Sequence, residues 1–176
     1  SSSSDVTNGI LFQLPNSDGG TLRGYKETTY PTPPFTRYLR FQSDIQADGA
    51  ITTAAFLGHG FFLRNSSNGR IVNLALQAQR ISGDEQVVYS NSVEQRSGYA
   101  TIFATPFFRK TVAENLNLWV RADVTSTNIS FYVSRDGRST WRLVGTETFS
   151  TYITAAGGSV DECGWFCFAG LNDTHD

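Results

Sequence analysis

The chain has 176 residues, of which 13% are aromatic and 17% are charged, and its formal net charge at pH 7 is −2. This length fits one domain with a sizeable core, and a composition with 13 Phe and 7 Tyr favours sheet and excludes a coiled coil. There is no basic stripe and no apolar run of roughly 20 residues, so we expect neither a nucleic-acid partner nor membrane insertion. Lys26 and Lys110 are the two lysines among 14 basic residues. The resulting arginine bias fits planar hydrogen-bonded recognition, or codon usage in a GC-rich genome.

Residues 1–37 have the composition of an arm. Turn-forming residues flank one short alternating stretch at 10–14. The prolines of the segment Tyr30–Phe35 forbid a helix and prevent a central strand, so the segment is predicted to be an extended loop or edge. Such an arm is a natural candidate for attachment to a neighbouring subunit. The residues predicted to make assembly contacts are Tyr30, Pro31, Pro33, Pro34 and Phe35.

From residue 38 onward, short strands and turns follow one another without a helical period. The predicted strands are Tyr38–Ile45, Ala54–Arg64, Arg70–Gln79, Val87–Tyr89, Leu118–Thr125, Ile129–Ser134, Trp141–Thr148 and Cys163–Leu171. Gly58 and Gly60 indicate a bulge or close packing in the second of these strands. About ten short strands separated by regular turn signals are typical of an all-β sandwich or barrel. We therefore predict an N-terminal arm over 1–37 and one all-β domain over 38–176.

The cysteines and histidines do not form a metal site or a disulfide in this reading. Cys163 and Cys167 share a predicted strand, which separates them by about 13 Å, whereas a disulfide needs Cα atoms within about 7 Å. We expect two buried thiols and a chain assembled in a reducing cytoplasm. His59 and His175 are isolated, and His59 is interpreted as a core or edge imidazole in preference to a general base. No cofactor is expected, although a calcium ion stays open as an option. The acidic loop residues that would hold this ion are Asp44, Asp48 and Asp84.

The patterns that accompany catalysis are absent from the sequence. A glycosidase built on a sandwich needs carboxylates that converge across its strands, but Glu-x-Asp-x-x-Glu does not occur, and Glu147 is the one glutamate in a predicted strand. Asp161 and Glu162 are adjacent and are interpreted as part of a solvated loop. The nucleophile elbow Gly-x-Ser-x-Gly is also missing. We therefore expect that the protein is not an enzyme.

Two stretches carry a family resemblance. Residues 61–72 read Phe-Phe-Leu-Arg-Asn-Ser-Ser-Asn-Gly-Arg-Ile-Val, an apolar strand, a polar turn and a second apolar strand. Residues 118–121 read Leu-Trp-Val-Arg, and 127–137 read Thr-Asn-Ile-Ser-Phe-Tyr-Val-Ser-Arg-Asp-Gly, followed by Trp141 and the closing Gly-Trp-Phe at 164–166. Over roughly residues 30–172 the chain resembles the concanavalin A-like (laminin-G-like) jelly-roll modules of bacteriophage virion proteins, especially tail-fibre and adsorption proteins. The chain departs from that pattern at 138–140, which lengthen the turn before Trp141.

The resemblance implies a two-sheet antiparallel jelly roll with a non-catalytic structural or binding role, and it transfers no ligand residues. It also implies a place in the virion, where the partners are other virion proteins and copies of the same chain in a trimer or ring. The start of the sequence, Ser1–Asp5, lacks the basic and apolar regions of a signal peptide. We therefore expect synthesis in the host cytoplasm without secretion.

A candidate glycan site follows from the residue types of the last third of the chain. Sugar sites on sandwiches use exposed aromatic rings together with Arg, Asp and Asn side chains. If the apolar residues of the strands at 118–125 and 129–134 face the core, four such side chains point outward. These residues are Trp119, Arg121, Asp123 and Tyr132. The alternative is that Trp119 is itself a core residue, and Trp141 and Trp165 are expected in the core.

The sequence is compatible with three functions. The first is a component of the phage tail fibre or tail tip that contacts a polysaccharide of the host surface. The second is a purely architectural protein that decorates the capsid or tail. The third is a cellular carbohydrate-binding module cut from an enzyme, which the lack of a signal peptide and of disulfides disfavours.

Overall fold

The computed structural model describes the backbone of residues 2–6, 9–13, 23–42, 55–80, 87–112 and 117–171, and the side chains of 23–40, 58–77, 90–107 and 119–168. This part of the chain forms twelve strands and one short 3-10 turn at Phe149–Thr151. The strands are β1 (Ser2–Val6), β2 (Gly9–Gln13), β3 (Arg23–Lys26), β4 (Phe35–Gln42), β5 (Ala55–Arg64), β6 (Ile71–Arg80), β7 (Val87–Arg96), β8 (Ile102–Val112), β9 (Asn117–Val124), β10 (Asn128–Ser134), β11 (Arg142–Thr148) and β12 (Glu162–Leu171).

Two antiparallel sheets pack face to face. The four-stranded sheet has the order β11-β10-β9-β4, and the six-stranded sheet has the order β3-β12-β5-β6-β7-β8. The first two strands pair with each other in a separate two-stranded hairpin. The all-β, two-sheet antiparallel sandwich expected from the sequence is confirmed, whereas its concanavalin A-like connectivity stays a prediction.

Alternation along the strands decides which side chains enter the core. In β10, Ile129, Phe131 and Val133 are buried, whereas Ser130 and Tyr132 between them lie on the other face of the sheet. The core between the sheets draws on both sheets and on the loop after β11. Its buried members are Phe61, Leu63, Val72, Leu74, Leu76, Val93, Val120, Ala122, Val124, Ile129, Phe131, Val133, Val144, Phe149, Tyr152, Ile153 and Cys163.

The six-stranded sheet is also buried on its second face. The apolar cluster on that face consists of Phe62, Ile71, Ala75, Phe166 and Phe168. Since both faces are covered, β5 is an almost continuous apolar run without polar alternation. A Cβ on Gly58 would lie 2.1 Å from the ring of Phe168, and a Cβ on Gly60 would lie 1.7 Å from the carbonyl oxygen of Leu74. These two glycines therefore serve close packing.

A buried ion pair lies on the same second face. Glu94 and Arg96 on β7 are 2% and 1% exposed, and Arg96 Nε donates to Glu94 Oε2 at 2.9 Å. The Glu94 carboxylate also accepts hydrogen bonds from Asn73 at 3.2 Å, Ser92 at 3.1 Å and Gln77 at 3.3 Å. The pair thus meets the requirement that a buried charge be paired and hydrogen-bonded.

The structure corrects four strand predictions. β7 extends to Arg96, beyond the predicted end at Tyr89, because its polar residues find partners inside the molecule. The sequence predicts no strand over 102–112, but β8 forms there because it is an edge strand, and its register shifts beside Pro106. β4 starts at Phe35, directly after the prolines, and not at Tyr38. The segment 1–37 contains three complete strands where one is predicted.

The thiols behave as the sequence predicts. Cys163 and Cys167 are free and buried, and burial raises the pKa of the Cys163 thiol to about 12. Burial lowers the pKa of His59 to about 4, so its imidazole is neutral at pH 7. His175 and the aspartates proposed for calcium, at 44, 48 and 84, lie outside the described residues. Within the described part, three or more His, Cys, Asp or Glu side chains nowhere gather as a metal site would require. The same residues contain no helix of the length and apolarity that a membrane crossing demands.

Candidate functional site

The four residues predicted for a glycan site lie together on the outward side of the four-stranded sheet, called the outer face below. Trp119, Arg121 and Asp123 alternate along β9 with core residues, and Tyr132 on β10 lies directly opposite Arg121. Ser134 stands opposite Trp119 on the same pair of strands. Since the alternate residues of these strands fill the core, the sheet itself fixes the outward direction of all four side chains.

Arg121 is the centre of the outer face. Its guanidinium carbon lies 4.1 Å from the ring centroid of Tyr132 and 5.1 Å from that of Trp141. Nη2 pairs with Asp123 Oδ2 at 3.1 Å, and Nε is buried without a hydrogen-bond partner. The guanidinium is therefore held by stacking and by one carboxylate, and part of its hydrogen-bonding capacity is unused.

Tyr38 and Trp141 belong to the outer face although the sequence analysis does not select them. Tyr38 lies opposite Arg121 on β4 and is 57% exposed. Its ring centroid is 5.7 Å from that of Trp141, with an angle of 61° between the planes. The expectation that Trp141 is a core residue is wrong, because the turn before β11 delivers it to the outside of the sheet. Trp165 does pack against the core, as predicted.

Trp119 lies on the outer face and not in the core, so the alternative interpretation of this residue is wrong. Its indole is partly covered by the turn at 135–139, since a Cβ on Gly137 would lie 2.5 Å from Trp119 Cδ2. Arg40 places its guanidinium carbon 6.0 Å from the Trp119 ring centroid. Trp119 therefore supports one end of the face, whereas Tyr38 is exposed.

Asp136 organises the turn that covers Trp119. Its carboxylate accepts hydrogen bonds from the Arg138 N–H at 3.0 Å and from the hydroxyls of Ser134 at 2.7 Å and Ser139 at 2.9 Å. The bonds from Arg138, Ser134 and Ser139 hold the pKa of Asp136 well below its usual range. Gly137 in this turn has a φ of 67°, a conformation that favours glycine.

The opposite end of the outer face is polar. Asp123 accepts a hydrogen bond from Thr36 Oγ1 at 3.0 Å, and Ser130 and Thr146 share a hydroxyl–hydroxyl hydrogen bond at 2.8 Å. Ser130 lies opposite Asp123 in the sheet. The face thus combines the exposed ring of Tyr38 and the half-buried ring of Trp141 with a stacked arginine, and it has a carboxylate and hydroxyls at the Asp123 end. This combination suits stacking on a sugar ring and hydrogen bonding to its hydroxyls.

The predicted assembly segment lies against the molecule's own core. Tyr30 and Phe35 are half-buried and pack against the main cluster, with ring centroids 5.5 Å apart. Burial raises the pKa of Tyr30 to about 12. Pro31 and Pro33 are also half-buried, whereas Pro34 is exposed and follows a cis peptide bond. Contacts between this segment and a neighbouring subunit stay a prediction, as does the division of the chain at residue 37.

The carboxylates weighed for catalysis have structural partners. Glu162 is the first residue of β12, not part of a loop, and it pairs with Lys26 at 2.8 Å and Arg64 at 2.5 Å. Asp161 accepts hydrogen bonds from the backbone and hydroxyl of Ser66. Glu147 is buried and accepts a hydrogen bond from Gln95 across the sandwich at 2.9 Å. Each of these carboxylates therefore has a hydrogen-bond or ion-pair partner among the described residues.

Comparisons with known proteins give distant likenesses. No protein-family model matches the chain, and no curated protein matches it. Among solved structures, the chain is similar to the CBM2 module of the evolved Dit of Lactobacillus casei BL23 phage J-1, at 15% identity over 80% of this chain and 71% of that one, with a TM-score of 0.32. It is also similar to a functionally unknown protein from Saccharomyces cerevisiae, at 12% identity over 89% of each chain, with a TM-score of 0.35. At these TM-scores neither likeness carries an argument, and the class of the chain, an antiparallel β-sandwich, rests on its own structure.

Proposed function

We propose that this protein is a non-catalytic binding module that engages a surface glycan through the outer face of its four-stranded sheet. The observation that carries the proposal is the cluster of Tyr38, Arg121, Tyr132 and Trp141, in which partly exposed rings surround an arginine. A contiguous group of aromatic side chains on the surface of a sheet is a mark of an interaction site. The hydroxyls and carboxylate at the Asp123 end complement sugar hydroxyls.

The place of this module is, in our proposal, the virion of a bacteriophage, as a tail-fibre or tail-tip component that contacts a polysaccharide of the host surface. The sandwich agrees with the resemblance carried by residues 61–72 and 118–137. A rigid sheet that presents a preformed face suits adsorption, because little conformational entropy is lost when a ligand binds to it. Other virion proteins and copies of the same chain, in a trimer or ring, complete the proposed set of partners.

The test is binding to a panel of purified bacterial surface polysaccharides, measured by biolayer interferometry. We expect saturable binding to at least one member of the panel. Tyr38→Ala and Trp141→Ala should each weaken it at least tenfold, which is about 1.4 kcal/mol. Tyr25→Ala is the matched control, since Tyr25 is an exposed tyrosine on β3 of the other sheet, 48% exposed, and this variant should bind like the wild type.

Two outcomes would contradict glycan binding at the outer face. One is the absence of binding across the whole panel by protein whose near-ultraviolet circular dichroism shows native packing. The other is binding that the Tyr25 variant loses and the Tyr38 and Trp141 variants keep.

A purely architectural role is the second candidate, and the edge strand β8 favours it. Ile102 and Phe103 on this strand are 47% and 68% exposed, and an edge strand with exposed apolar side chains is a template for pairing with another chain. For this role we expect a defined oligomer in light scattering that Phe103→Lys dissociates. An oligomer of this kind without polysaccharide binding would favour the architectural role, whereas a monomer would contradict it.

A further inference from the structure

We propose that the glycan recognised at the outer face is acidic, and that Arg121 and Arg40 receive its anionic group, either a uronate carboxylate or a phosphodiester. This inference rests on the proposed function and narrows it from glycans in general to one chemical class.

The geometry of Arg121 suits an anionic ligand. The rings of Tyr132 and Trp141 lie against its guanidinium, and Asp123 Oδ2 forms an ion pair with Nη2. A guanidinium carries five donors in one plane, and one carboxylate at 3.1 Å does not use them all. The side chain is 22% exposed, so part of it is open to a ligand. An arginine fixed by stacking loses little freedom on binding and matches the oxygens of a carboxylate or phosphate in its plane.

The surface around Arg121 carries more arginines than aspartates. The charged residues on the described part of the outer face and in the adjoining turn are Arg40, Arg121, Asp123, Arg135, Asp136 and Arg138. Both aspartates are already engaged, Asp123 with Arg121 and Asp136 with the hydrogen bonds of its own turn. With four arginines against two aspartates, the described part of this face and its turn has a positive formal charge, although the whole chain has a net charge of −2. A local field of this sign attracts anions and speeds their association.

Arg40 is a second cation close to Arg121 on the outer face. It is exposed and lies opposite Trp119, one outward position along β4 from Tyr38, which itself lies opposite Arg121. Residues in this diagonal arrangement have Cα atoms about 7–8 Å apart. Both arginines therefore occupy sheet positions next to Tyr38, Arg121 directly across from it and Arg40 one outward position along β4. A sugar stacked on Tyr38 would carry its acidic substituent to one of these cations.

The experiment compares matched polymers. The probes are uronate-containing capsular polysaccharides, the same polymers after chemical reduction of their carboxyl groups to neutral alcohols, and poly(glycerol phosphate) teichoic acid. We expect a native acidic polymer to bind at least tenfold more tightly than its reduced form, with the preference falling as salt is raised from 50 to 300 mM. Strong binding of the teichoic acid with weak binding of both carbohydrate forms would identify the phosphodiester as the anion.

Charge variants test whether the preference for native over reduced polymers arises at the outer face. Arg40→Gln should reduce the preference for the native over the reduced polymer at least threefold, and Arg121→Gln should abolish it. Arg142→Gln removes one exposed positive charge from β11 opposite Val133, whose side chain enters the core, and it should leave the preference unchanged.

Each outcome separates this inference from the proposed function. Equal affinity for native and reduced polymers, lost in Tyr38→Ala, would overturn the acidic specificity and leave glycan binding at the outer face intact. A preference that Arg142→Gln reduces as much as Arg40→Gln would also overturn it, because the effect would then come from net charge. Absence of binding to these polymers by protein that binds another member of the panel would overturn the acidic specificity alone. Absence of binding across the whole panel by folded protein would overturn both proposals.

Discussion

Replacing Arg96 with methionine removes the cation from the buried pair on the second face of the six-stranded sheet. Methionine keeps much of the volume and the contact with Phe168, whose ring centroid lies 5.6 Å from the Arg96 guanidinium carbon. The variant loses the 2.9 Å hydrogen bond and ion pair to Glu94, and the 3.1 Å hydrogen bond from Arg96 Nη1 to the Tyr99 carbonyl oxygen. The Glu94 carboxylate is then left at 2% exposure with neutral donors at 3.1–3.3 Å.

The expected cost is set by the charge left without a counter-ion. Breaking a buried pair by removing one partner costs about 3–5 kcal/mol, and for a protein of this size each kcal/mol lowers Tm by about 2–4 °C. The free energy of unfolding should therefore fall by about 3–5 kcal/mol, and Tm by about 6–20 °C. A second change, Glu94→Gln, in the Arg96→Met background should restore at least 1 kcal/mol because it removes the uncompensated charge.

Urea unfolding followed by both tryptophan fluorescence and circular dichroism measures these values, since coincident curves indicate a two-state transition. Arg142→Met is the control, as an exposed arginine whose replacement should cost less than about 0.5 kcal/mol. A loss below 1 kcal/mol in Arg96→Met, or a double variant less stable than Arg96→Met alone, would refute the reasoning.

Three further predictions concern single residues. Gly137→Ala should lower the free energy of unfolding by about 1–2 kcal/mol, because alanine is strained at this positive φ. The new Cβ should also displace the Trp119 indole and alter its near-ultraviolet circular dichroism. An unchanged spectrum would contradict the contact between residue 137 and Trp119. Burial lowers the pKa of His59 in the folded protein to about 4, whereas its value in the unfolded chain is about 6.5. His59 therefore does not lower the free energy of unfolding above pH 6.5. As pH falls to 4 the free energy of unfolding should drop by up to about 3 kcal/mol, because the unfolded chain takes up the proton first. His59→Gln should flatten stability over that range, and an equally steep pH profile in the variant would count against this. Asn65→Ala removes the hydrogen bonds that its Nδ2 donates to the carbonyl oxygens of Ile153 and Gly157, of which the first bond is buried and the second part-buried. It should lower the free energy of unfolding by about 1–3 kcal/mol in urea, whereas a neutral result would mean that the loop is held by other contacts.

The strand alternation of the last third of the chain predicts most of the candidate site. Once Val120 and Phe131 are assigned to the core, Arg121 and Tyr132 must point outward, and the structure places them so. Alternation does not predict the orientation of Trp141, because this residue precedes the first residue of β11. Its position depends on the path of the turn at 135–139, which local sequence signals leave open.

Two features of the six-stranded sheet, the full length of β7 and the strand β8, are not predicted by the sequence, for a different reason. The polar run that ends β7 resembles a loop because its burial depends on partners such as Asn73, which lies on the neighbouring strand. The sequence does not predict β8 because the segment contains Pro106, and proline is tolerated in an edge strand but not in the centre of a sheet. Whether a strand is central or at the edge is a property of the assembled sheet, so neither feature could be predicted from its own segment.

The most direct test of glycan binding at the outer face uses the indole N–H signals of the three tryptophans. In ¹⁵N-labelled protein, each indole gives one resonance, and oligosaccharides from the polysaccharide panel are titrated in turn. We predict that a binding oligosaccharide shifts the Trp141 and Trp119 signals and leaves the signal of Trp165, which packs against the core, unchanged. Signals of Trp141 and Trp119 that stay in place at saturation with every member of the panel would contradict the account.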